Sequence, residues 1–223
     1  MKRIAITGAN GTIGTVLSNG LKNYEIIPID LPMLDARDYE KLLKAVQGSD
    51  VIVHLAWNTE IENFRSSKIE VGNILMVYNV YKAALEAKIP RVIMASSVHA
   101  DNFYKWGKAD LMQPQKIPEP TSPYGACKIF LEALGRYYST KGLEVICIRF
   151  GGVNKENKPP SEVFEKRVWL SHGDCVGLVR KCIEADKIPD NFLVVYAVSN
   201  NKNRIHDFSN PFGWVPKDDS SSF

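Results

Sequence analysis

Apolar residues along this chain form short continuous runs that alternate with stretches of helical periodicity. The first run ends at Gly8, and an apolar pattern of helical period follows at residues 13–21. Further runs predict strands at residues 26–29, 51–55, 91–95, 145–150 and 192–196. Helical patterns separate these runs at residues 39–46, 69–87, 122–140 and 171–185, with Ser122 and Ser171 as N-caps of the last two. The pattern therefore predicts strands and helices in alternation.

Continuous apolar strands separated by helices are typical of a parallel sheet that is covered on both faces. Because parallel strands are joined by right-handed crossovers, the expected fold is an α/β, doubly wound architecture. Ligands bind such sheets beyond the carboxyl ends of their strands. Functional residues are therefore expected just after Thr7, Ile29, Leu55, Ala95 and Phe150.

The chain has 223 residues, of which 45% are hydrophobic and 24% charged, and this ordinary composition predicts one globular domain over residues 1–223. Its cofactor-binding core is expected at about residues 1–150 and a small C-terminal substrate cap at about residues 151–223. Residues 101–121 and 152–166 are expected to be irregular connections, and residues 200–223 an irregular tail.

Charge and cysteine placement narrow the class of function. The formal net charge is +3 and the basic residues are scattered, which argues against a nucleic-acid partner. No run reaches the roughly 18 apolar residues of a membrane helix, and the chain opens on a strand rather than a signal peptide, so a cytoplasmic protein without a membrane partner is expected. The four cysteines have no CxxC spacing and are expected to be reduced core residues, not metal ligands.

A glycine-rich turn joins the first strand to the first helix, where residues 7–14 read Thr-Gly-Ala-Asn-Gly-Thr-Ile-Gly. This spacing lets the backbone approach a pyrophosphate, and the helix N-terminus supplies N–H groups and a positive dipole end. Tight turns also recruit glycine, but the strand before and the helix after favour a phosphate cradle. The predicted cofactor contacts here are Gly8, Asn10, Gly11, Thr12, Ile13 and Gly14.

An acidic residue closes the second strand. Asp30 lies about 20 residues beyond the glycines, where a carboxylate accepts hydrogen bonds from an adenosine ribose. It repels a 2′-phosphate, and residues 31–33 supply no Arg or Lys to receive one, so NAD is the predicted cofactor. Asp35 has two open interpretations, an adenine contact or an Asx turn or N-cap before the next helix.

Tyr124 and Lys128 stand four residues apart at the start of a predicted helix, so both project from one face. A nearby ammonium and the positive nicotinamide of NAD⁺ would favour the phenolate and give a base nearer neutral pH. Such a pair is common on surface helices, but Ser96 and Ser97 end a central strand upstream and offer a hydroxyl to the same substrate oxygen. We predict that Tyr124 is the acid/base and that one of the two serines assists it.

Together these motifs resemble the extended short-chain dehydrogenase/reductase family, also called the NAD-dependent epimerase/dehydratase family, and Arg149 fits the same pattern. The resemblance covers most of the chain. It implies a Rossmann-type fold, a catalytic set of Ser97, Tyr124 and Lys128, and a homodimer paired through the Tyr-Lys helix and the preceding long helix. It also implies cofactor contacts at Leu31, Asp35, Leu55, Ala56, Trp57, Asn73, Ala95, Tyr124 and Lys128.

Within that family, residues 96–99, 169–174 and 212–218 resemble the short uronate dehydrogenases and related sugar dehydrogenases, which oxidise a sugar at C1 to a lactone. The resemblance implies that Ser97 and Tyr124 hold the anomeric hydroxyl while C1 passes a hydride to NAD, with no metal. Substrate contacts are then expected at Ser97, Val98, His99, Gly152 and Arg167.

Departures from the subfamily leave the sugar open. Val98 stands where an Asn is expected, Gly152 stands where a Ser is expected, and the carboxylate-binding Arg does not align without gaps. Arg167 is either its substitute or a surface charge, and His99 is either a substrate contact or a packed residue. A uronate, an uncharged aldose and a sugar phosphate are therefore alternative substrates.

Two other functions compete with a sugar dehydrogenase. A nucleotide-sugar epimerase or dehydratase would share the fold, NAD and the Tyr-Lys pair, although the stretch after Phe150 is short for a nucleotide-sugar cap and Ser97 lacks neighbouring carboxylates. A noncatalytic NAD-sensing module is the second alternative, because a dinucleotide fold can bind without chemistry.

Overall fold

The protein is described by a computed structural model that covers residues 1–107 and 110–223, so two residues of the connection 101–121 lie outside the described part. Its sheet has the order β2-β1-β3-β4-β5-β6, and every neighbouring pair is parallel. The strands are β1 (Arg3–Thr7), β2 (Glu25–Ile29), β3 (Val51–His54), β4 (Arg91–Ser97), β5 (Glu144–Phe150) and β6 (Phe192–Ala197).

Helices cover both faces of this sheet. They are α1 (Thr12–Gly20), α2 (Tyr39–Val46), α3 (Val71–Glu86), α4 (Pro123–Ser139), the short α5 (Val163–Arg167) and α6 (His172–Glu184). One core lies between the sheet and the pair α1 and α6, and the other lies between the sheet and α2, α3 and α4. The predicted α/β, doubly wound, Rossmann-type architecture is confirmed. No helix within residues 1–107 and 110–223 is long and apolar enough to cross a membrane.

Successive strand residues supply the two cores in turn. Ile4 and Ile6 of β1 pack in the core beneath α1 and α6, while Ala5 between them packs in the core beneath α2, α3 and α4. Side chains alternate across a strand, so a strand covered on both faces must be apolar at every position. This requirement is why the strands read as continuous apolar runs in the sequence.

Most predicted elements match the structure closely, and Ser122 and Ser171 are the N-caps of α4 and α6, accepting hydrogen bonds from the backbone N–H groups of Gly125 and Asp174. Two differences concern the site. β4 runs on to Ser97, because the register of β4 on β5 places Ser97 opposite Phe150. The stretch 152–166 was predicted to be irregular but contains most of α5, a helix too short to produce a periodic apolar pattern.

Buried charges tie the carboxyl ends of the central strands to α4. Arg149 of β5 donates two hydrogen bonds of 2.8 Å to the carboxylate of Glu132 on α4. It also donates to Asp101, at 2.6 Å, in the segment after β4, and to the phenol of Tyr196 on β6, at 3.0 Å. All four residues are buried. A buried charge is tolerated only when it is paired and hydrogen-bonded, so this cluster fixes four segments against one another.

Removing one carboxylate from the cluster is expected to destabilise the fold. Glu132→Gln should lower the free energy of unfolding by about 3–5 kcal/mol, because Arg149 loses its bidentate partner inside the protein. The measurement is urea unfolding followed by circular dichroism. The control is Glu25→Gln, whose ion pair with Arg3 is exposed and should cost about 0–1 kcal/mol. Equal losses in the two variants would contradict the role given to the cluster.

Candidate active site

The predicted catalytic side chains meet at the carboxyl edge of the sheet. Tyr124 and Lys128 lie one turn apart on α4, and Ser97 is the last residue of β4. All three line a cavity of about 660 Å³. The arrangement follows from the fold, because α4 packs directly on β4 and on the turn that follows β4.

A glycine allows α4 to approach that turn closely. A Cβ atom at Gly125 would lie 2.2 Å from the backbone oxygen of His99, a separation that real Cβ atoms do not show. Any larger residue would push the first turn of α4 away from the end of β4. Gly125 therefore determines how near Tyr124 comes to Ser97.

The two serines at the end of β4 have different surroundings. The Ser96 hydroxyl donates to the buried carboxylate of Glu132 at 2.5 Å. The Ser97 hydroxyl accepts the N–H of His99 at 3.2 Å, and Ser97 is the serine whose side chain lowers the pKa of the Tyr124 phenol. Successive side chains of a strand point to opposite sides, so only one of two adjacent serines can face Tyr124. In this structure that serine is Ser97.

The acidity of Tyr124 is governed mainly by its burial. Burial raises the pKa of the phenol, while the hydrogen bond with Ser97 lowers it. Without the positive nicotinamide that the prediction also invokes, desolvation of the phenolate is the largest influence and the pKa of Tyr124 lies above its ordinary value. The hydrogen bond to Ser97 therefore offsets part of the desolvation cost.

Lys128 lies buried between β4 and an indole ring. Its ammonium donates to the backbone oxygen of Ala95 at 3.0 Å and lies 3.5 Å from the centre of the Trp57 ring. Burial lowers the pKa of Lys128 to about 7, and the negative charge of Glu62 is the largest influence opposing that change. The cation–π contact with Trp57 further favours the charged amine.

Glu62 is a residue near the site that sequence analysis did not identify. It is fully buried in the loop after β3, and its carboxylate accepts a hydrogen bond of 2.8 Å from the side chain of Asn73. Asn73 in turn accepts the backbone N–H of Asn58 at 2.7 Å. These bonds hold the loop that carries Trp57 against α3. The sequence does not reveal this role, because an acidic residue in a loop without periodicity gives no indication that it is buried.

A second cavity, of about 460 Å³, runs along the sheet edge between the ends of β1, β2 and β3. The switch in strand order beside β1 produces this cleft, which is where doubly wound sheets bind dinucleotides. Nine of the predicted cofactor residues line it, namely Gly8, Gly11, Asp30, Leu31, Asp35, Leu55, Ala56, Trp57 and Asn73.

The remaining predicted cofactor residues lie nearby. Asn10 and Thr12 line an adjoining groove, and Ile13 and Ala95 line the cavity that contains Tyr124 and Lys128. Gly14 is buried, and a Cβ atom there would lie 2.3 Å from the backbone oxygen of Gly8. Its role in the structure is to let α1 pack against the glycine turn.

The cleft fits a dinucleotide at both ends. Among the described residues, no side chain caps α1 and no acidic residue lies in its first turn, so its N-terminal N–H groups remain available to a pyrophosphate. Asp30 accepts the N–H groups of Asn10 and Leu31, each at 2.8 Å, which places its carboxylate beside the glycine turn. Lys128 can offer further donors to a ribose near Tyr124.

The structure shows an Asx turn at Asp35, which is one of the two interpretations that the sequence left open. It accepts the backbone N–H of Arg37 at 2.9 Å, and the N-cap of α2 is Asp38 instead. Its carboxylate also holds the Arg37 guanidinium through bonds of 2.9 Å and 2.6 Å. Arg37 lines the dinucleotide cleft and was not identified from the sequence. Its charge in the cleft is already neutralised by Asp35.

The cavity beside Tyr124 contains four of the five predicted substrate contacts, namely Ser97, Val98, His99 and Gly152. Arg167 does not line it. The guanidinium of Arg167 lies 4.8 Å from the centre of the Phe164 ring, and its side chain borders a separate cavity of about 110 Å³. The expected anion contact at Arg167 is therefore absent from the cavity formed by the described residues, because α5 directs this side chain elsewhere.

Two histidines near the site differ in their surroundings: His54 is packed inside the protein, and His99 lines the cavity. His54 is buried at the end of β3, and its Nδ1 atom lies 2.6 Å from the Thr7 hydroxyl. His99 lines the cavity with its ring stacked on Phe64 at 4.3 Å. Burial lowers the pKa of His99 to about 4, so its imidazole is neutral at pH 7.

The comparisons with known proteins agree with this geometry. The sequence model of the NAD dependent epimerase/dehydratase family matches residues 4–168. The chain is 35% identical to the L-arabinose 1-dehydrogenase (NAD(P)(+)) of Haloferax volcanii, with 100% of this chain and 99% of the relative covered. It is 31% identical to the uronate dehydrogenase of Agrobacterium fabrum, with 100% and 87% covered.

Comparison with a solved structure also indicates a sugar dehydrogenase fold. The crystal structure of uronate dehydrogenase from Agrobacterium tumefaciens superposes with a TM-score of 0.85 at 28% sequence identity, covering 100% of this chain and 87% of that chain. The match extends over the glycine turn, the dinucleotide cleft and the cavity that contains Ser97, Tyr124 and Lys128. The chain belongs to the NAD-dependent epimerase/dehydratase family.

Proposed function

We propose that this protein is an NAD-dependent dehydrogenase that oxidises a sugar or sugar acid at C1 to a lactone. The observation that carries the proposal is that Ser97, Tyr124 and the buried ammonium of Lys128 line one cavity of about 660 Å³, which adjoins the dinucleotide cleft at Leu55 and Trp57. Relatives named as an L-arabinose 1-dehydrogenase and as uronate dehydrogenases support the same reaction class.

In the proposed reaction, Tyr124 acts on the C1 hydroxyl of the sugar. The Tyr124 phenolate accepts the hydroxyl proton, and the Ser97 hydroxyl holds the same oxygen while the C1–H bond breaks. NAD⁺, when bound, supplies the hydride acceptor at nicotinamide C4. Lys128 would hold a ribose hydroxyl of the cofactor and would keep a positive charge near the phenolate. Loss of a proton and a hydride converts the sugar into its lactone.

The cofactor roles proposed for the cleft follow from its lining. The glycine turn and the N-terminus of α1 would bind the pyrophosphate, and Asp30 would bind the adenosine ribose. Leu31, Asp35 and Ala56 would border the adenosine half of NAD, with Trp57 and Asn73 at the bend towards Lys128. We propose residues 1–150 as the cofactor-binding core of one domain and residues 151–223 as its substrate-binding part.

We also propose that the protein is a cytoplasmic homodimer. The exposed apolar side chains of α3 fall on one stripe, formed by Val71, Leu75, Tyr78 and Leu85. Phe130 and Tyr137 form a second exposed stripe on the neighbouring α4. Contiguous apolar surface of this kind supports an interface between two copies. The four unpaired, buried cysteines support a reducing compartment.

Tyr124→Phe is expected to abolish sugar oxidation while leaving NAD binding intact. The loss in kcat should be about 10²-fold to 10⁴-fold, the range for removing a general acid–base group. The measurement is NADH absorbance with purified protein, NAD⁺ and a panel of aldoses, uronates and glucose 6-phosphate. Calorimetric titration with NAD⁺ is the control for folding. If the unsubstituted protein binds NAD but forms NADH with no sugar, the proposal is contradicted and an epimerase or an NAD-sensing protein is favoured.

Ser97→Ala is expected to move the pH–rate profile of oxidation to higher pH. The Ser97 hydrogen bond lowers the pKa of Tyr124, so its removal raises that pKa and less phenolate is present at a given pH. The measurement is kcat/KM as a function of pH, from about pH 6 to about pH 10. Ser96→Ala is the matched control, because its hydroxyl bonds Glu132. A shift in the Ser96 variant alone would exchange the roles of the two serines.

Phe130→Glu is expected to convert the homodimer into a monomer. The substitution places a charge in the exposed apolar stripe of α4, where burial against a second copy would leave it unpaired. Sedimentation velocity should show a dimer dissociation constant raised by about tenfold or more. Val215→Glu is the control, since Val215 is also exposed but borders the groove beside α1 and α6, on the opposite face of the sheet. An unchanged dimer in the Phe130 variant would refute this interface.

A further inference from the structure

The cavity beside Tyr124 has a charge pattern that bears on the choice between neutral and anionic sugars. Two cations line it, Lys128 and Arg65, together with one acidic residue, Glu165. Lys128 is committed at the reacting end by the Ala95 oxygen and the Trp57 ring. Only Arg65, of the described residues that line the cavity, is therefore a candidate to bind a distant carboxylate or phosphate of the substrate.

Arg65 is already paired. Its guanidinium donates to the Glu165 carboxylate at 3.4 Å, joining the loop after β3 to α5 across the mouth of the cavity. The Tyr104 phenol lies within the electrostatic influence of both charges, which places the pair beside the aromatic wall of the cavity. An anionic substrate would meet the Glu165 carboxylate as well as the guanidinium. Repulsion by the first offsets attraction to the second.

The remaining wall is uncharged, and it combines aromatic rings with the neutral polar side chains of Thr59, Asn63 and Asn154. The rings of Phe64 and His99 stack at 4.3 Å, and those of Phe103 and Tyr104 stack at 4.2 Å. Aromatic faces suit the apolar C–H face of a sugar ring. A neutral imidazole offers one donor and one acceptor, which suits hydroxyl groups. A carboxylate or phosphate placed here would lose its hydration without gaining an unpaired cation.

On these grounds we infer that the cavity takes an uncharged aldose in preference to uronates and sugar phosphates, with the Arg65–Glu165 pair as the device that rejects the anion. The inference rests on the proposed function, because it specifies the substrate class of the same site. It assigns to Arg65 and Glu165 a role in specificity that is separate from the chemistry at Tyr124. Glu165 is the residue whose charge decides the preference.

The test compares neutral and anionic sugars that differ only in the group at C6. Galactose is paired with galacturonate, and glucose is paired with glucuronate and with glucose 6-phosphate, all with NAD⁺. The neutral member of each set should have a kcat/KM higher by about tenfold or more. A higher kcat/KM on the uronate or the phosphate would overturn the inference and leave the proposed dehydrogenase standing. No NADH from any sugar would overturn both.

Glu165→Gln tests the device itself. The variant frees Arg65, so kcat/KM on galacturonate divided by kcat/KM on galactose should rise by about threefold or more. Adding Arg65→Gln should remove the gain. Glu162→Gln is the matched control, because Glu162 is an exposed carboxylate at the N-terminus of the same short helix. Equal gains in the Glu165 and Glu162 variants, or no gain in either, would overturn the role of the pair.

Discussion

The buried ion cluster around Arg149 is the interaction on which the reacting groups depend. It joins β5, α4, β6 and the segment after β4 through the side chains of Glu132, Asp101 and Tyr196. A buried arginine at the carboxyl edge of the sheet is stable only while these acceptors surround it. The cluster therefore restricts the four segments to a single relative arrangement. In that arrangement α4 presents Tyr124 to the end of β4. The cluster also takes up the Ser96 hydroxyl, which leaves Ser97 beside the phenol.

Burial sets the chemistry of the site as much as the identity of its residues. The same desolvation raises the pKa of Tyr124 and lowers that of Lys128 to about 7. Ser97 opposes the first change and Glu62 opposes the second, so each reacting group has one neighbour that favours its charged form. Such opposed influences are typical of sites in which a proton must be transferred near neutral pH. The Arg65–Glu165 pair at the cavity mouth is exposed, and it takes no part in setting the pKa values of Tyr124 and Lys128.

Much of the fold could be predicted because strands covered on both faces must be apolar throughout, and this constraint is visible in the sequence. The positions of Asp30 and of the serine pair at residues 96 and 97 followed from the rule that ligands lie beyond strand ends, and Tyr124 was identified by its spacing to Lys128. Glu62, Arg37 and the contact of Trp57 with Lys128 could not be predicted, since each depends on how a loop without periodicity packs. The absence of Arg167 from the cavity has the same cause, because α5 is too short to leave a sequence pattern.

The central claim, that Tyr124 and Ser97 serve oxidation of a sugar at C1, is tested most directly by following the C1 hydrogen. The protein would be incubated with NAD⁺ and an aldopentose carrying deuterium at C1, and the NADH formed would be examined by nuclear magnetic resonance. The account predicts that the deuterium appears at nicotinamide C4 of NADH and that the sugar is recovered as lactone or its acid. Deuterium retained at C1 of the sugar, or deuterium at nicotinamide C4 without formation of lactone or its acid, would contradict the account.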